Sequence, residues 1–315
     1  MKEDVVVGHD DFSRNLAKEL DAQYVNIKLH VFPDNEIKPT LQIRSEDELK
    51  YKEVLLVSRT NRFDPRPNDA IIELGLNVRN LKDLGTNNVD IVMPYMFYAR
   101  QDESFQTGEP RSFQHIEKLY QRWLQEDPPS DALMVDRIFT INSHQYGKSE
   151  PLQLFFEGIN IYDWSPSKLF AEHFKAKKLK EPLVVVPGPE KLAKELSEQI
   201  DADYEALAKE RDHRTGKIAL AKSKTSFKDR DVIVYDDVTS TGGTVKAAVD
   251  FVNETDPHRV YVALTHLIGR NGTENVCDLK IDEVVTTDSL ESGKEYKPFV
   301  ELSTVPLLSE YIRKL

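Results

Sequence analysis

A chain of 315 residues exceeds one ordinary core and suits two domains of about 150 residues each. Its net charge of −12 excludes a general nucleic-acid footprint, which needs clustered Lys and Arg, and the lack of any run of about 18 apolar residues excludes a membrane span. The lone Cys277 excludes an internal disulfide, a cysteine-based zinc cluster and a paired-thiol centre, and with an N-terminus, "MKEDVVVGHD", that lacks the apolar core of a secretory signal, it sets the expectation of a cytoplasmic protein.

The expected elements alternate along the chain. "DVVVG" (4–8) reads as a strand, 10–20 as a helix, "YKEVLLVS" (51–58) as a strand and 68–84 as a helix. "VDIVMPY" (89–95), a helix over 111–124 and "DRIFTI" (136–141) follow. The proline-rich "QEDPPSDAL" (125–133) reads as an exposed loop. Then come "PLVVVP" (182–187), a helix over 189–200, "DRDVIVY" (229–235), a helix over 243–254, "RVYVALTH" (259–266) and "DEVVTT" (282–287). Short runs rich in Val and Ile between helical segments are the pattern of buried parallel strands with helices on both faces of the sheet.

The pattern occurs twice. "VVV" at 5–7, "LAKEL" at 16–20 and "DAQY" at 21–24 have their counterparts in "VVV" at 184–186, "LAKEL" at 192–196 and "DADY" at 201–204, and Val54 then falls opposite Val232. Leu, Ala, Lys and Glu are common helix formers, so "LAKEL" alone means little. The ordered series points to a duplicated α/β domain with its boundary near 150–165. Where the second copy reads "DDVTSTGGT" (236–244), the first reads "SRTNRFDPRP" (58–67). Only one copy carries the acids and glycines.

A strand ending at Tyr235 would deliver Asp236 and Asp237 to the carboxyl edge of the sheet, where open α/β sheets hold ligands. Paired carboxylates accept hydrogen bonds and donate none, which suits neighbouring sugar hydroxyls. Ser240, Thr241, Gly242, Gly243 and Thr244 then offer hydroxyls and uncovered backbone N–H groups just before a helix N-terminus, a cradle for an anion. Diol first and phosphate second is a template for ribose 5-phosphate. The plainer alternative is a βα turn with a Ser/Thr cap.

"YDDVTSTGGT" resembles the phosphoribosyl diphosphate motif of type I phosphoribosyltransferases. With "FPDNEIKPTLQIR" (32–44), "PYMFYARQD" (94–102), "INSHQYG" (141–147), "AKERD" (208–212) and "STVPLLSEYIRKL" (303–315), essentially the whole chain resembles the ribose-phosphate diphosphokinases, with "DDVTSTGGT" closest to their archaeal form. The resemblance implies two tandem phosphoribosyltransferase-like α/β domains, each a mainly parallel sheet flanked by helices. Their expected extents are residues 1–155 and 156–315, the last helix packing back on the first domain. It implies transfer of the diphosphoryl group of ATP to the C1 hydroxyl of ribose 5-phosphate with Mg²⁺, giving phosphoribosyl diphosphate and AMP.

The same resemblance implies that Lys209 and Arg211 are catalytic cations, which phosphoryl transfer would use to stabilise developing charge. It implies that Arg100 and Gln101 contact ATP, and that Phe32, Asp34 and Glu36 meet the adenine from a neighbouring subunit of a homo-oligomer. Read without the family, "AKERDHRTG" is a charged loop and "FPDNE" a hairpin turn. The metal assignment departs from the family pattern. His144 stands at a metal-binding position, but the acid expected two residues earlier is Asn142, and in "VVVPGPEK" the expected aspartate falls on Gly188 or Glu190, so His144 and Glu190 are the candidate ligands. These departures sustain a rival reading, a catalytically silent relative that regulates an active partner. A phosphoribosyltransferase is a further rival, although it leaves the duplication and "YARQD" unexplained. "GKS" (147–149) lacks the preceding glycine of a Walker loop, and no GxGxxG is present.

Overall fold

The structure is a computed structural model that describes residues 3–104, 106–124, 135–146, 159–188, 190–207, 209–211, 218–220, 225–292 and 298–315. The expected loop at 125–133, the "GKS" tripeptide and the side chains of Lys209 and Arg211 lie outside the described part.

The first half opens with β1 (Val5–Gly8), α1 (Asp11–Leu20), β2 (Gln23–Val31) and β3 (Ile37–Leu41). It continues through β4 (Glu53–Val57), α2 (Pro67–Asp83), β5 (Asn88–Val92), α3 (Ser112–Leu124), β6 (Val135–Ile141), β7 (Asn160–Trp164) and α4 (Ser167–Lys175). The second half runs β8 (Leu183–Val186), α5 (Glu190–Ile200), β9 (Asp203–Ala206), β10 (Lys209–Arg211), β11 (Ile218–Leu220), β12 (Asp231–Thr239) and α6 (Gly243–Asn253). It ends with β13 (Arg259–Leu267), α7 (Arg270–Cys277), β14 (Glu283–Thr287), β15 (Val300–Leu302) and α8 (Val305–Lys314).

Local chemistry explains the expected elements. In α1, Asp10 caps the first turn by accepting from the Ser13 N–H at 2.9 Å, and Phe12, Leu16 and Leu20 recur at i, i+4 and i+8 on the buried face. The valines of β1 and β8 are buried on both faces, as central parallel strands require.

The first sheet has the order β3-β2-β1-β4-β5-β6-β7, parallel except for the β2–β3 hairpin, and the second has β9-β8-β12-β13-β14-β15, parallel throughout. Reading β2-β1-β4-β5-β6-β7 against β9-β8-β12-β13-β14-β15 gives one strand order twice, so the repeat in sequence is also a repeat in topology. The two α/β domains are thus copies of one design. Because β7 pairs with β6 through Trp164, the first sheet extends beyond residue 155, and the change of sheet falls between Trp164 and Leu183.

Each copy also lends the other a helix. α4, which follows the last strand of the first sheet, buries Phe170, Ala171 and Phe174 against Val184, Val186 and Leu192 of the second domain. α8, which follows the last strand of the second sheet, buries Val305, Leu308 and Ile312 against Val6, Phe12 and Leu16 of the first. Trp164 at the end of β7 stacks on Tyr311 of α8 at 4.5 Å between ring centroids. Among the described residues no helix is long and apolar enough to cross a membrane.

Candidate active site

The cleft is built on the carboxyl end of β12. This strand does not stop at Tyr235: parallel pairing with β13 continues to Thr239 and Leu267, so Asp236 and Asp237 lie inside its last turns of pleat. Asp236 faces β8, since a Cβ added to Gly188 would lie 3.9 Å from its Oδ1, and Asp237 meets the first domain. Beyond Thr239 the chain turns through Gly242, whose φ of 79° is open to glycine at little cost, and its N–H donates to Thr239 Oγ1 at 3.1 Å. α6 then starts at Gly243.

The first domain brings its own loops to this edge. His144 Nδ1 lies 2.7 Å from Asp237 Oδ2, and Arg100 Nη1 donates to Ser240 Oγ at 2.9 Å. Burial pushes the Asp237 carboxyl up, but hydrogen bonds from His144 and the Val238 N–H, together with the Asp236 side chain and the charge of His144, outweigh it and hold Asp237 below the usual carboxylate range. Asp237 is therefore ionised at neutral pH. Behind this contact Tyr95 packs on Val238, Ile268 and Leu290, which seals the floor between the domains. His266, fully enclosed there, has its pKa pushed down to about 4 by burial, so a neutral ring donates from Nε2 to the Ile141 carbonyl at 2.9 Å.

Beside this meeting point lies an open cleft of ≈ 480 Å³ lined by Pro67, Asn68, Tyr95, Tyr98, Arg100 and Gln101. Phe32, Asp34 and Glu36 sit elsewhere, on the exposed turn of the edge hairpin β2–β3, closed by Phe32 N–H to Glu36 O at 2.8 Å and by Asn35 in the left-handed region at φ 68°. Glu36 lines a separate hollow with Asp69 and Ile72 of α2, whose first turn also supplies Pro67 and Asn68 to the larger cleft. Lys209 and Arg211 stand on β10, which pairs antiparallel with β11. Glu190 opens α5, and its Oε1 accepts from Tyr204 Oη at 2.8 Å.

The metal chemistry of these residues can be judged from the donors. No group of three or more His, Cys, Asp or Glu side chains suited to a metal occurs among the described residues. Mg²⁺ takes oxygen donors, keeps several waters and substrate phosphates and needs only one or two carboxylates from protein, so the Asp237 carboxylate fits such an ion, with His144 at 2.7 Å placed to orient it. Asn142 is buried, adopts φ 43°, which Asn tolerates, and donates from Nδ2 to Thr265 Oγ1 at 2.7 Å, while its Oδ1 is enclosed without a hydrogen-bond partner.

Two family models match this chain. Residues 6–123 match the N-terminal domain of ribose phosphate pyrophosphokinase and residues 167–295 match the phosphoribosyl transferase domain. A ribose-phosphate pyrophosphokinase of Sulfurisphaera tokodaii is 30% identical over 92% of this chain and 93% of its own length. The chain belongs to the ribose-phosphate pyrophosphokinase family. Relatives of the same name from Methanopyrus kandleri, 27% identical over 96% of this chain and 95% of theirs, and from Helicobacter hepaticus, 26% identical over 98% and 93%, align equally completely. The crystal structure of phosphoribosylpyrophosphate synthetase from Mycobacterium smegmatis superposes with a TM-score of 0.78 over 99% of this chain and 98% of that one, at 21% identity, and so shares the fold.

Several residues around this cleft carry no signal in the motifs. Gln145 Nε2 donates to Ala99 O and to Asp102 Oδ2, both at 3.0 Å, which ties the His144 loop to the Arg100 loop. Asp163, on β7, accepts from the Ser143 N–H at 3.1 Å and from Ser143 Oγ at 2.6 Å and so fixes the residue before His144. Gly272 of α7 lies so close to the phosphate-motif loop that a Cβ there would sit 2.2 Å from Ser240 O, and Asn275 Nδ2 donates to Thr241 O at 3.0 Å. A glycine in "GRNGT" hints at close approach, but the sequence does not say to what.

Proposed function

We propose that the family's reaction, transfer of the diphosphoryl group of ATP to the C1 hydroxyl of ribose 5-phosphate with release of AMP, runs in this chain across the cleft between the two domains. The second domain, whose sheet begins at Leu183, takes ribose 5-phosphate. Asp236 and Asp237 accept from its hydroxyls, and Ser240, Thr241, Gly242, Gly243 and Thr244 hold its phosphate. The first domain takes ATP through Arg100 and Gln101. Arg100 already reaches Ser240, so its guanidinium can span the phosphates of both substrates. Phe32, Asp34 and Glu36 complete the adenine site from a neighbouring subunit of a homo-oligomer, which accounts for their exposure on the edge hairpin.

Catalysis on this reading is positioning and charge stabilisation. Lys209 and Arg211 meet the oxygens on which charge grows as C1–O attacks the β-phosphorus, Arg through a planar fork and Lys as a point charge. Mg²⁺ supplies neutralisation of the phosphate oxygens, and His144, with Glu190 at the start of α5, are the residues assigned to it here. The chain would work in the cytoplasm.

The observation that carries the reading is the convergence of His144 and Arg100 of one domain on Asp237 and Ser240 of the other, at the strand end where the acid pair and the anion cradle adjoin. The test is to incubate the purified chain with ATP, Mg²⁺ and ribose 5-phosphate and follow AMP and phosphoribosyl diphosphate. Equal yields of both support the reading. Binding of both substrates with no product would instead favour the silent regulatory relative.

A further inference from the structure

The first-copy segment opposite the phosphate motif, residues 58–67, has neither acids nor glycines at the corresponding places, yet it is plugged into the second domain. Arg62 is fully buried there. Its Nε donates to Ser292 Oγ at 2.9 Å, Nη1 to Leu267 O at 2.8 Å, and Nη2 to Thr287 O at 2.7 Å and to Glu301 Oε2 at 3.0 Å. Its backbone is held as well: the Arg62 N–H donates to Glu291 O at 2.7 Å and the Gly269 N–H to Arg62 O at 2.6 Å. Each of these partners belongs to the second domain.

The partners share a purpose in the fold. Leu267 and Thr287 end β13 and β14, and Gly269 immediately precedes α7. α7 is the surface on which the phosphate-motif loop rests, through the close approach of Gly272 to Ser240 O and the Asn275 bond to Thr241 O, while the Ile268 N–H donates to Thr239 O at 2.9 Å. Arg62 thus fixes the N-terminal end of the support, at Leu267 and Gly269, without touching the loop itself. A buried charge is poor glue, because an apolar side chain of the same volume often stabilises as well. A planar fork of several donors instead fixes the relative positions of its acceptors.

We propose that Arg62 is a positioning residue for ribose 5-phosphate: the first copy's counterpart of the motif loop sets α7, and through it the Ser240–Thr244 cradle of the second copy. This deepens the function proposed above and rests on its assignment of the phosphate to that cradle. It also gives the domain duplication a mechanical role, since the copy without the motif aligns the copy that carries it.

The experiment uses the full chain and the variants Arg62→Lys and Ser292→Ala, with calorimetric titration of ribose 5-phosphate and of ATP and separate KM values for each. Arg62→Lys keeps the charge but loses the fork, so it should weaken ribose 5-phosphate by about tenfold or more, as a displaced substrate-positioning loop does, and leave ATP affinity within about twofold. Ser292→Ala, which frees Nε and removes the Ser292 hydroxyl from Glu301 but leaves the Nη bonds of Arg62 in place, should move the same constant in the same direction by a smaller factor. Folded Arg62→Lys that binds ribose 5-phosphate like the wild type, or that loses both substrates equally, overturns the inference; if that variant does not fold, Ser292→Ala decides by the same criteria. A wild-type chain that does not bind ribose 5-phosphate at all overturns the assignment of the cradle and this inference with it, a result distinct from either variant outcome.

Discussion

Replacing Asp163 with Asn should stabilise the protein at neutral pH, although it removes a carboxylate that accepts two hydrogen bonds. Burial raises this carboxyl to about 6 from its ordinary 3.8, against the opposing bonds from Ser143. The folded state therefore binds the proton more tightly than the unfolded chain, and stability falls as pH rises from about 4 to about 6, with the deficit complete above that. At about 1.4 kcal/mol per pH unit the gap amounts to at most about 3 kcal/mol, and solvent reaching a half-buried side chain reduces it to about 2 kcal/mol. Asn is neutral at every pH, and its Oδ1 and Nδ2 can replace the bonds to the Ser143 N–H and hydroxyl. Thermal unfolding of wild type and Asp163→Asn between pH 4 and pH 7.5 should show similar midpoints at the acid end and a variant more stable by about 4–8 °C at the neutral end. A midpoint difference that does not change with pH, or that grows in favour of wild type as pH rises, would refute the reasoning. A carboxylate kept at such a cost next to the residue that precedes His144 is a feature expected of a functional loop rather than of a core.

Lys209→Ala should lower turnover by about two orders of magnitude or more while ribose 5-phosphate affinity stays near wild type, because its charge acts on the transition state; steady-state kinetics with calorimetry separate the two, and normal turnover would remove Lys209 from the mechanism. Asp236→Asn combined with Asp237→Asn should do the reverse and weaken ribose 5-phosphate first, and unchanged calorimetric affinity would contradict the diol assignment. Gly75→Ala should cost about 1–3 kcal/mol in urea unfolding despite the better helix propensity of Ala, since a Cβ at Gly75 would lie 2.5 Å from the Trp123 ring where α3 crosses α2; a stabilised variant would show that the ring can move aside.

What the sequence made legible, and what it hid, follows from how far apart interacting residues lie in the chain. The acid pair, the glycines and the hydroxyls of the phosphate motif occupy nine consecutive positions, 236–244, because a strand end and a helix start must present them together, and such a cluster can be read without a fold. The Val-rich strands and the amphipathic α1 were legible for the same local reason. The acid pair itself reads in sequence as lying beyond the strand, since carboxylates disfavour strands in general and only the pairing of β12 with β13 carries the strand through Asp236 and Asp237 to Thr239. Arg62 was illegible, as its acceptors lie 205 and 239 residues further along at Leu267 and Glu301. In sequence it is one more cation in a charged chain.

The two copies diverged at corresponding positions with opposite chemistry, and this divergence explains why one chain offers one cradle. Ser58 and Arg59 stand where the second copy has Asp236 and Asp237. Arg59 is buried, ion-paired with Asp10 and bonded to the Asp288 carbonyl, so the carboxyl edge of the first sheet is filled by its own side chains and those of its neighbour. A guanidinium there cannot accept from a sugar hydroxyl, because it has donors only. It can, however, satisfy carbonyls at the ends of another sheet's strands, which the second domain exposes at Leu267, Thr287 and Asp288. With Ser58 and Arg59 in place of an acid pair, the edge of the first sheet is a protein-binding edge where that of the second is a ligand-binding one, and the domain interface holds Tyr95, His144 and Arg100 against the strand that carries the acids.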